Sequence, residues 1–119
     1  MKRVVIESPY AANKLFTVRQ HEAYAKMALL DSLMREEAPI ASHLLHTMVL
    51  KDEIPEERQL GIAAGLAWLG VAEQIVFYTD LGMSPGMAGC MKLCKQQNYP
   101  FTTRLIGGNV VSAIKQLRY

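Results

Sequence analysis

The segment that most constrains the fold is residues 74–79, QIVFYT, in which the apolar character is continuous rather than alternating. Alternation is typical of a strand with one face in water, whereas a continuous apolar run is typical of a parallel strand covered on both faces. Parallel strands need crossover connections, which are most often helices. We therefore predict that this segment is a central strand of a helix-covered parallel sheet.

The rest of the chain supplies alternating strand and helix signals. Further strands are predicted at Arg3–Ile6, at 40–45 and at 101–106. Helices are predicted from the capping box of Thr17 and Gln20 to about Glu37, from Pro55 to about Glu73, from Ser84-Pro85 to about Gln97, and after Asn109 as an N-cap. This order predicts one α/β domain over residues 1–119: a three-layer flavodoxin-like (Rossmann-like) fold of about four parallel strands with helices on both faces.

The spacing of apolar residues predicts how two of these helices pack. His21 is expected on the exposed start of the first helix, and the side facing the sheet is predicted to contain Ala23, Met27, Leu30 and Met34, widened by Leu29 and Leu33. The next helix is apolar almost all round, through Leu60, Ala63, Ala64, Ala67 and Val71. Such a helix is typical of burial on two sides, so we expect a homodimer or a higher homo-oligomer.

Composition and charge limit the class of protein. With 119 residues, 50% of them hydrophobic and 20% charged, the chain is predicted to be a globular domain rather than a disordered tail. The net charge of +2, from scattered basic residues, argues against nucleic acid as a partner. No apolar run approaches the roughly 18 residues of a membrane span. Glu7 also interrupts the apolar start too early for a signal peptide.

The two cysteines, Cys90 and Cys94, are four residues apart, a spacing unlike that of a CxxC redox pair. We interpret them as small buried residues of a cytoplasmic protein, in which thiols stay reduced.

Ligands of such sheets bind beyond the carboxyl ends of the strands, near a switch in strand order. This rule selects two loops, 7–13 and 80–87. In the first, Glu7-Ser8-Pro9-Tyr10 combines a carboxylate, a hydroxyl and an aromatic ring. Tyr10 is a candidate to stack on a base, and Glu7 to bind ribose hydroxyls or to act in acid–base chemistry. The alternatives are a packing ring and a solvated or salt-bridged carboxylate.

The second loop offers main-chain N–H groups at the start of a helix. The amides of Ser84–Met87 are candidates to bind a phosphate or carboxylate, and Gly82 and Gly86 permit close approach of a ligand. Asp80 is a polar candidate at the strand end. The alternatives are an ordinary capped turn and a capping role for Asp80. Neither GxGxxG nor GxxxxGK occurs in the chain, so no classical dinucleotide or P-loop site and no cofactor are predicted.

His43 and His46 lie three residues apart in, or just after, the predicted strand 40–45. An odd spacing along a strand sends side chains to opposite faces, so no metal site is predicted there. His43, near the carboxyl end of the strand, is a candidate to hydrogen-bond a ligand. Arg58 is interpreted as a solvated residue of a helix start, with binding of an anionic ligand as the alternative.

Four stretches, Glu7–Tyr10, Ala41–Leu45, Ile54–Arg58 and Tyr78–Met87, occur in an order that resembles an uncharacterised bacterial and phage family over about residues 1–106. That family is similar to the superfamily of nucleoside 2-deoxyribosyltransferases and deoxynucleoside 5'-monophosphate N-glycosidases. The resemblance implies a flavodoxin-like fold, a site for a nucleoside or nucleotide, and pairing of subunits through helices.

The same resemblance implies that two catalytic carboxylates are missing. The superfamily attacks the anomeric carbon with a glutamate in a Leu-Gly-x-Gly-Tyr-Glu turn and an aspartate three residues before a tryptophan. In this chain the two positions fall on Gly86 and on Gly65, which precedes Trp68. No Glu or Asp occurs from Met83 to Met91. Covalent ribosyl transfer by that route needs a nucleophile and would therefore fail.

Two functions are weighed on these grounds. The first is non-catalytic sequestration of a nucleotide or ADP-ribose-like signalling molecule, by analogy with phage proteins that counter host defence. The second is an N-glycosidase or deoxyribosyltransferase-like enzyme in which Glu7 or Asp80 has taken over the acid–base role. A protein-interaction module with a vestigial pocket is a third alternative. The expected ligand-binding residues are Glu7, Ser8, Pro9, Tyr10, His43, Asp80, Gly82, Ser84, Gly86 and Met87.

Overall fold

The computed structural model describes residues 1–117 and has an α/β fold. Its strands are β1 (Lys2–Glu7), β2 (Glu37–Ile40), β3 (Gln74–Tyr78) and β4 (Phe101–Arg104). Its helices are α1 (Val18–Met34), α2 (Ser42–Leu45), α3 (Pro55–Leu69), α4 (Pro85–Gln97) and α5 (Val110–Gln116), and a short 3₁₀ turn (His46–Met48) follows α2. The strands form one parallel sheet in the order β2-β1-β3-β4. This arrangement confirms the predicted fold class and is compatible with a three-layer flavodoxin-like fold.

The two central strands alternate between two apolar cores. Val4 and Ile6 of β1 pack with residues of α1 and α5 on one side of the sheet. Val5 and Phe77 pack on the other side with Leu69, at the end of α3, and with α4. The continuous apolar run of β3 is therefore explained by burial on both faces, as the sequence predicted.

The second strand lies earlier than predicted. Residues 40–45 were expected to form it, but the strand is Glu37–Ile40 and residues 42–45 form α2. The first helix correspondingly ends at Met34, and Glu36 takes a left-handed backbone conformation with φ of 62° that separates helix from strand. Pro39 is tolerated because β2 pairs only with β1 and is therefore an edge strand.

The buried side of α1 agrees with the prediction only in part: Ala23, Met27 and Leu29 are partly buried and pack against the core. Leu30 and Met34 are 60% and 77% exposed, whereas His21, expected at the surface, is fully buried. The residues that α1 buries are Gln20, His21, Tyr24, Ala25, Ala28 and Ser32. The polar ones among them have specific partners: the ring of His21, for example, is 3.2 Å from the carbonyl oxygen of Tyr10. A pattern of hydrophobicity cannot reveal such polar contacts, which explains the error.

An ion pair joins the two edge strands. The guanidinium of Arg104, on β4, donates to both carboxylate oxygens of Glu37, on β2, at 2.8 and 3.0 Å. These hydrogen bonds are the main reason that the pKa of Glu37 is lowered. Arg104 also donates to the hydroxyl of Tyr78 at 3.0 Å and lies over its ring. A polar network thus connects the edges of the sheet beneath α1.

The helix starts largely agree with the sequence. Thr17 and Gln20 form the predicted capping box of α1, and Ser84 caps α4, with Pro85 as its first residue. Pro55 begins α3, with two glutamates in the first turn. Asn109 stands at the N-cap position of α5, but its side chain makes no capping hydrogen bond. None of the helices within residues 1–117 is long and apolar enough to span a membrane.

Candidate functional site

The switch in strand order at β1 places a cavity of about 620 Å³ at the carboxyl edge of the sheet. Because β2 and β3 lie on opposite sides of β1, the loop after β1 leads to α1 and the loop after β3 leads to α4, on the other face. The two loops diverge, and the space between them is closed from the side by α2 and α3. The wall of the cavity includes residues 7–13, 42–43, 57–58, 83–87 and Cys90.

Eight of the ten predicted ligand-binding residues line this cavity: Glu7, Ser8, Pro9, Tyr10, His43, Ser84, Gly86 and Met87. Asp80 and Gly82 do not line it. That the eight residues contact a ligand stays a prediction, but the structure brings them together from three separate parts of the chain.

Glu7 ends β1 and turns its carboxyl group towards α4. Its Oε1 accepts a hydrogen bond from Sγ of Cys90 at 3.2 Å. Burial raises the pKa of Glu7, and this desolvation outweighs the opposing effect of the hydrogen bond from Cys90. The structure therefore favours the neutral carboxylic acid, which both donates and accepts a hydrogen bond.

Ser8 and His43 form a hydrogen-bonded pair in the same wall, with Ser8 Oγ 2.8 Å from His43 Nε2. Burial lowers the pKa of His43 to about 4, so its imidazole is neutral at neutral pH. Its Nδ1 is buried and has no hydrogen-bond partner within residues 1–117. Since buried polar atoms in proteins are nearly always paired, this atom marks a position where a ligand group would be stabilised.

The start of α4 offers fewer free amides than the sequence suggested. The N–H of Met87 donates to Ser84 Oγ at 3.2 Å, and that of Ala88 donates to the carbonyl of Ser84 at 3.0 Å. The N–H of Ser84 points to the sulfur of Met87, and Pro85 has no N–H. The expected cradle of amides for a phosphate is therefore reduced to the single N–H of Gly86.

The charged groups of the cavity lie in its outer part. Among residues 1–117, Arg58 is the one lysine or arginine in the lining, and its side chain is 52% exposed. It faces Asp52 at 3.7 Å. Glu57 beside it accepts a hydrogen bond from the backbone N–H of Lys51. The site as a whole offers little positive charge to an anionic ligand.

Gly65 and Gly86 have different physical roles in the lining of the cavity. A Cβ on Gly65 would lie 2.7 Å from Ser42 Oγ, so the contact between α2 and α3 requires a glycine there. A Cβ on Gly86 would meet nothing closer than 3.9 Å. Gly65 is therefore explained by packing, whereas Gly86 leaves open space in the cavity wall.

Asp80 has a structural position, which corrects its predicted place in the site. Its Oδ1 accepts from the hydroxyl of Tyr24 at 2.6 Å and from the N–H of Ile106 at 2.9 Å, and its Oδ2 accepts from the N–H of Gly107 at 2.9 Å. The carboxylate thus fastens α1 and the loop after β4 to the end of β3. This arrangement is close to the alternative interpretation of Asp80 from the sequence, in which its carboxylate caps backbone N–H groups. Gly82, with φ of 92°, serves the turn after β3.

Sequence reasoning missed Ser42 and Cys90 as lining residues. Ser42 follows β2 directly, so correct placement of that strand would have brought it to the carboxyl edge with His43. Cys90 lies on the first turns of α4, in the helix already expected to border the site, but nothing in its sequence context distinguishes it from a core residue. Within residues 1–117, no group of three or more His, Cys, Asp or Glu residues is placed to hold a metal ion.

The fold and the cavity define an α/β protein with a pocket at the switch point of a parallel sheet. The chain matches the model of a family described as "Domain of unknown function (DUF7768)" over residues 2–104, and it belongs to that family. The matched range ends with β4 and includes every residue that lines the cavity. No curated protein and no solved structure gives a significant match.

Replacing Asp80 by Asn should destabilise the fold, because the amide cannot accept all the hydrogen bonds that the carboxylate accepts. Burial alone would raise the pKa of Asp80, but hydrogen bonds from Tyr24, Ile106 and Gly107 lower it overall. We expect the free energy of unfolding to fall by about 2 kcal/mol at pH 7 in urea titrations.

The pH dependence follows from the lowered pKa of Asp80. Its stabilising effect is complete above the unfolded-state pKa of about 3.9 and is lost as the pH falls through the lower folded-state value. The difference between wild type and Asp80→Asn should therefore shrink only below about pH 4. Asp52→Asn, a change in an exposed pair, is the control and should have little effect. Equal stability of Asp80→Asn and Asp52→Asn would contradict the structural role.

Replacing Gly65 by Ala should also destabilise the protein, since the new methyl group meets Ser42 Oγ. We expect a loss of about 1 kcal/mol, measured by thermal or urea unfolding. Ser42→Ala in the same chain should restore most of this loss, and Gly86→Ala is the control that should cost nothing. A double variant as unstable as Gly65→Ala alone would show that another contact is responsible.

Proposed function

We propose that the protein binds a nucleotide or ADP-ribose-like molecule in the cavity between the ends of β1 and β3, and holds it without turnover. One observation carries the proposal: the cavity at the switch point is lined by Glu7 and by the hydrogen-bonded pair Ser8 and His43, and within residues 1–117 Oε2 of Glu7 and the buried Nδ1 of His43 have no hydrogen-bond partner. Pockets of this size and position in parallel sheets are typical of small-molecule sites.

The absence of turnover is supported by where the carboxylates lie. The positions that resemble the superfamily carboxylates are Gly65 and Gly86, and Asp80 already accepts three hydrogen bonds from protein groups. Glu7 is the acid nearest the inner wall, and its burial favours the neutral form, which is no nucleophile. The proposed relation to the deoxyribosyltransferase superfamily therefore concerns the site and not the reaction.

Sequestration of a nucleotide signal, as in phage counter-defence, is the biological role that we propose for such a protein. A cytoplasmic location fits this role, and the two free, buried cysteines fit a compartment in which thiols stay reduced.

The alternative function is an N-glycosidase or deoxyribosyltransferase-like enzyme. It is favoured by one observation, the raised pKa of Glu7 at the cavity wall. A neutral carboxylic acid there has the form needed to protonate a departing base as a general acid.

Incubation with deoxynucleotides and NAD-type compounds separates the two functions. We expect at least one compound to raise the melting temperature and to be recovered intact by liquid chromatography after heat denaturation, because ligands that bind only the folded state stabilise it. Release of free base at catalytic rates would instead establish the enzyme. No thermal shift with any compound would favour the protein-interaction module.

We further propose that α3 is covered by a second copy of the chain. Of its 15 residues, Leu69 is the one that is buried, whereas Leu60 and Trp68 are 61% and 43% exposed. Packing of α3 against the same helix of a second copy, across a two-fold axis, would bury these exposed apolar side chains and stabilise both copies. The same helix lines the cavity through Arg58 and Leu66, so a dimer would also narrow the entrance.

Light scattering coupled to gel filtration tests the dimer. We expect a mass of twice the 13.3 kDa chain, and a shift to the monomer in Leu60→Lys and Trp68→Lys, since a buried unpaired charge is costly at an apolar contact. Leu105→Lys is the matched control, because Leu105 is equally exposed but lies outside α3. A wild-type monomer at high concentration would contradict the proposal.

A further inference from the structure

Two groups of polar side chains in the cavity differ in burial and charge. The inner group consists of Glu7, Ser8, His43 and Cys90, which are buried or partly buried. The outer group consists of Asp52, Glu57 and Arg58, at the start of α3 and in the segment before it, and Arg58 is largely exposed. Apart from Glu7, the aspartate, glutamate and arginine residues of the lining all belong to the outer group.

Within the inner group, Glu7 has one occupied and one free oxygen. Oε1 accepts from Cys90 Sγ at 3.2 Å, whereas Oε2 has no hydrogen-bond partner within residues 1–117. In the part of the chain that the structure describes, no lysine or arginine pairs with either oxygen. Burial without a cation raises the pKa of this carboxyl group and so favours its neutral form, which presents a donor and an acceptor side by side.

His43 adds a second uncharged partner. Its Nε2 is hydrogen-bonded to Oγ of Ser8, and its buried Nδ1 has no hydrogen-bond partner within residues 1–117. A neutral imidazole has one donor and one acceptor nitrogen, so Nδ1 offers one more hydrogen bond whichever tautomer is present. Tyr10, three residues after Glu7, supplies an aromatic ring to the same wall.

Resting on the function proposed above, we infer that the inner group recognises the uncharged edge of a nucleobase, and that phosphate groups contribute little to affinity. An amide or amidine edge, such as a purine or pyrimidine ring offers, has an adjacent donor and acceptor. Such an edge matches a carboxylic acid in both positions at once. An ionised phosphate does not match it in this way, because it carries only acceptors and would leave the acceptor oxygen of the acid facing a negative charge.

The charge distribution also favours an orientation with the base in the inner part of the cavity. An anionic group placed in the inner part of the cavity would lose its hydration without gaining a counter-ion, which is costly. A phosphate in the outer part would meet Arg58, whose guanidinium already faces Asp52, and the carboxylate of Glu57. A nucleotide would therefore be bound with its base inside and its phosphates at the entrance.

Isothermal titration with a ligand panel tests this inference. The panel contains the purine and pyrimidine nucleosides, their 5'-monophosphates, ADP-ribose, ribose 5-phosphate and inorganic pyrophosphate. We expect one nucleoside and its 5'-monophosphate to bind within about threefold of each other, and ribose 5-phosphate and pyrophosphate not to bind. A monophosphate more than about tenfold tighter than its nucleoside would overturn the inference.

Substitutions at Glu7 test whether its carboxyl group is protonated in the complex. Glu7→Gln retains a donor and an acceptor without charge, so we expect the nucleoside affinity to stay within about threefold of wild type. Glu7→Met has a similar size but no hydrogen-bonding group, and we expect it to lose about tenfold or more. Glu56→Gln, at an exposed position of α3 outside the cavity lining, is the control and should leave the affinity unchanged. Circular dichroism and a melting curve verify that each variant folds.

The outcomes distinguish the inference from the function on which it rests. If no compound of the panel binds, both are wrong. If nucleotides, ribose 5-phosphate and pyrophosphate bind while nucleosides do not, the protein binds nucleotides as proposed but the inference is wrong. If Glu7→Gln loses binding as severely as Glu7→Met, the carboxylate is charged in the complex and the base-edge pairing is wrong.

Discussion

The chain leaves β1 towards one face of the sheet and β3 towards the other, and this divergence determines where the rest of the structure can place a site. Two neighbouring parallel strands whose connections diverge leave a gap at their carboxyl ends, as β1 and β3 do in the order β2-β1-β3-β4. Asp80 stabilises the gap from below, because it joins the end of β3 to α1 and to the loop after β4. The cavity is thus a consequence of topology. Asp80 lies outside its lining and fixes the position of the strand end beside it.

Glu7 stands at the centre of this gap because it is the last residue of β1. Its burial without a cation disfavours the charged form, and the thiol of Cys90 is a weak partner. The same property serves either proposed function, since a neutral acid can bind a base edge or protonate a departing base. What separates the two is the presence of a nucleophile. Neither Gly86 nor Gly65 supplies one: Gly86 leaves open space in the cavity wall, and Gly65 is fixed by the packing of α2 against α3.

The sequence predicted the fold class because the signals for it are local. The continuous apolar run of β3 and the capping residues of α1 and α4 need no distant partner, and all of them occur where expected. The strand β2 was misplaced by about three residues because Pro39 was taken as the end of a helix. Pro39 lies within this edge strand because β2 pairs with β1, and the sequence does not show which strands pair.

The site was predictable in outline and not in detail. The rule that ligands bind at strand ends identified both loops, and most of the residues chosen in them line the cavity. Asp80 was misassigned because its partners, Tyr24, Ile106 and Gly107, are far away in the chain. The amides of Ser84–Met87 were overcounted because the N–H groups of Ser84 and Met87 are used within the cap of the helix and Pro85 has none. These errors all concern hydrogen bonds between groups whose proximity only the folded chain reveals.

The central claim is that the gap between β1 and β3 retains a small molecule through the uncharged groups of its inner wall. Its most direct test is the mass spectrometry of small molecules released by heat from freshly purified protein. The account predicts one intact nucleobase-containing compound in near-stoichiometric amount from wild type, and its loss from Glu7→Met. No such compound above the level of the Glu7→Met sample, or free base and sugar in place of an intact molecule, would contradict it.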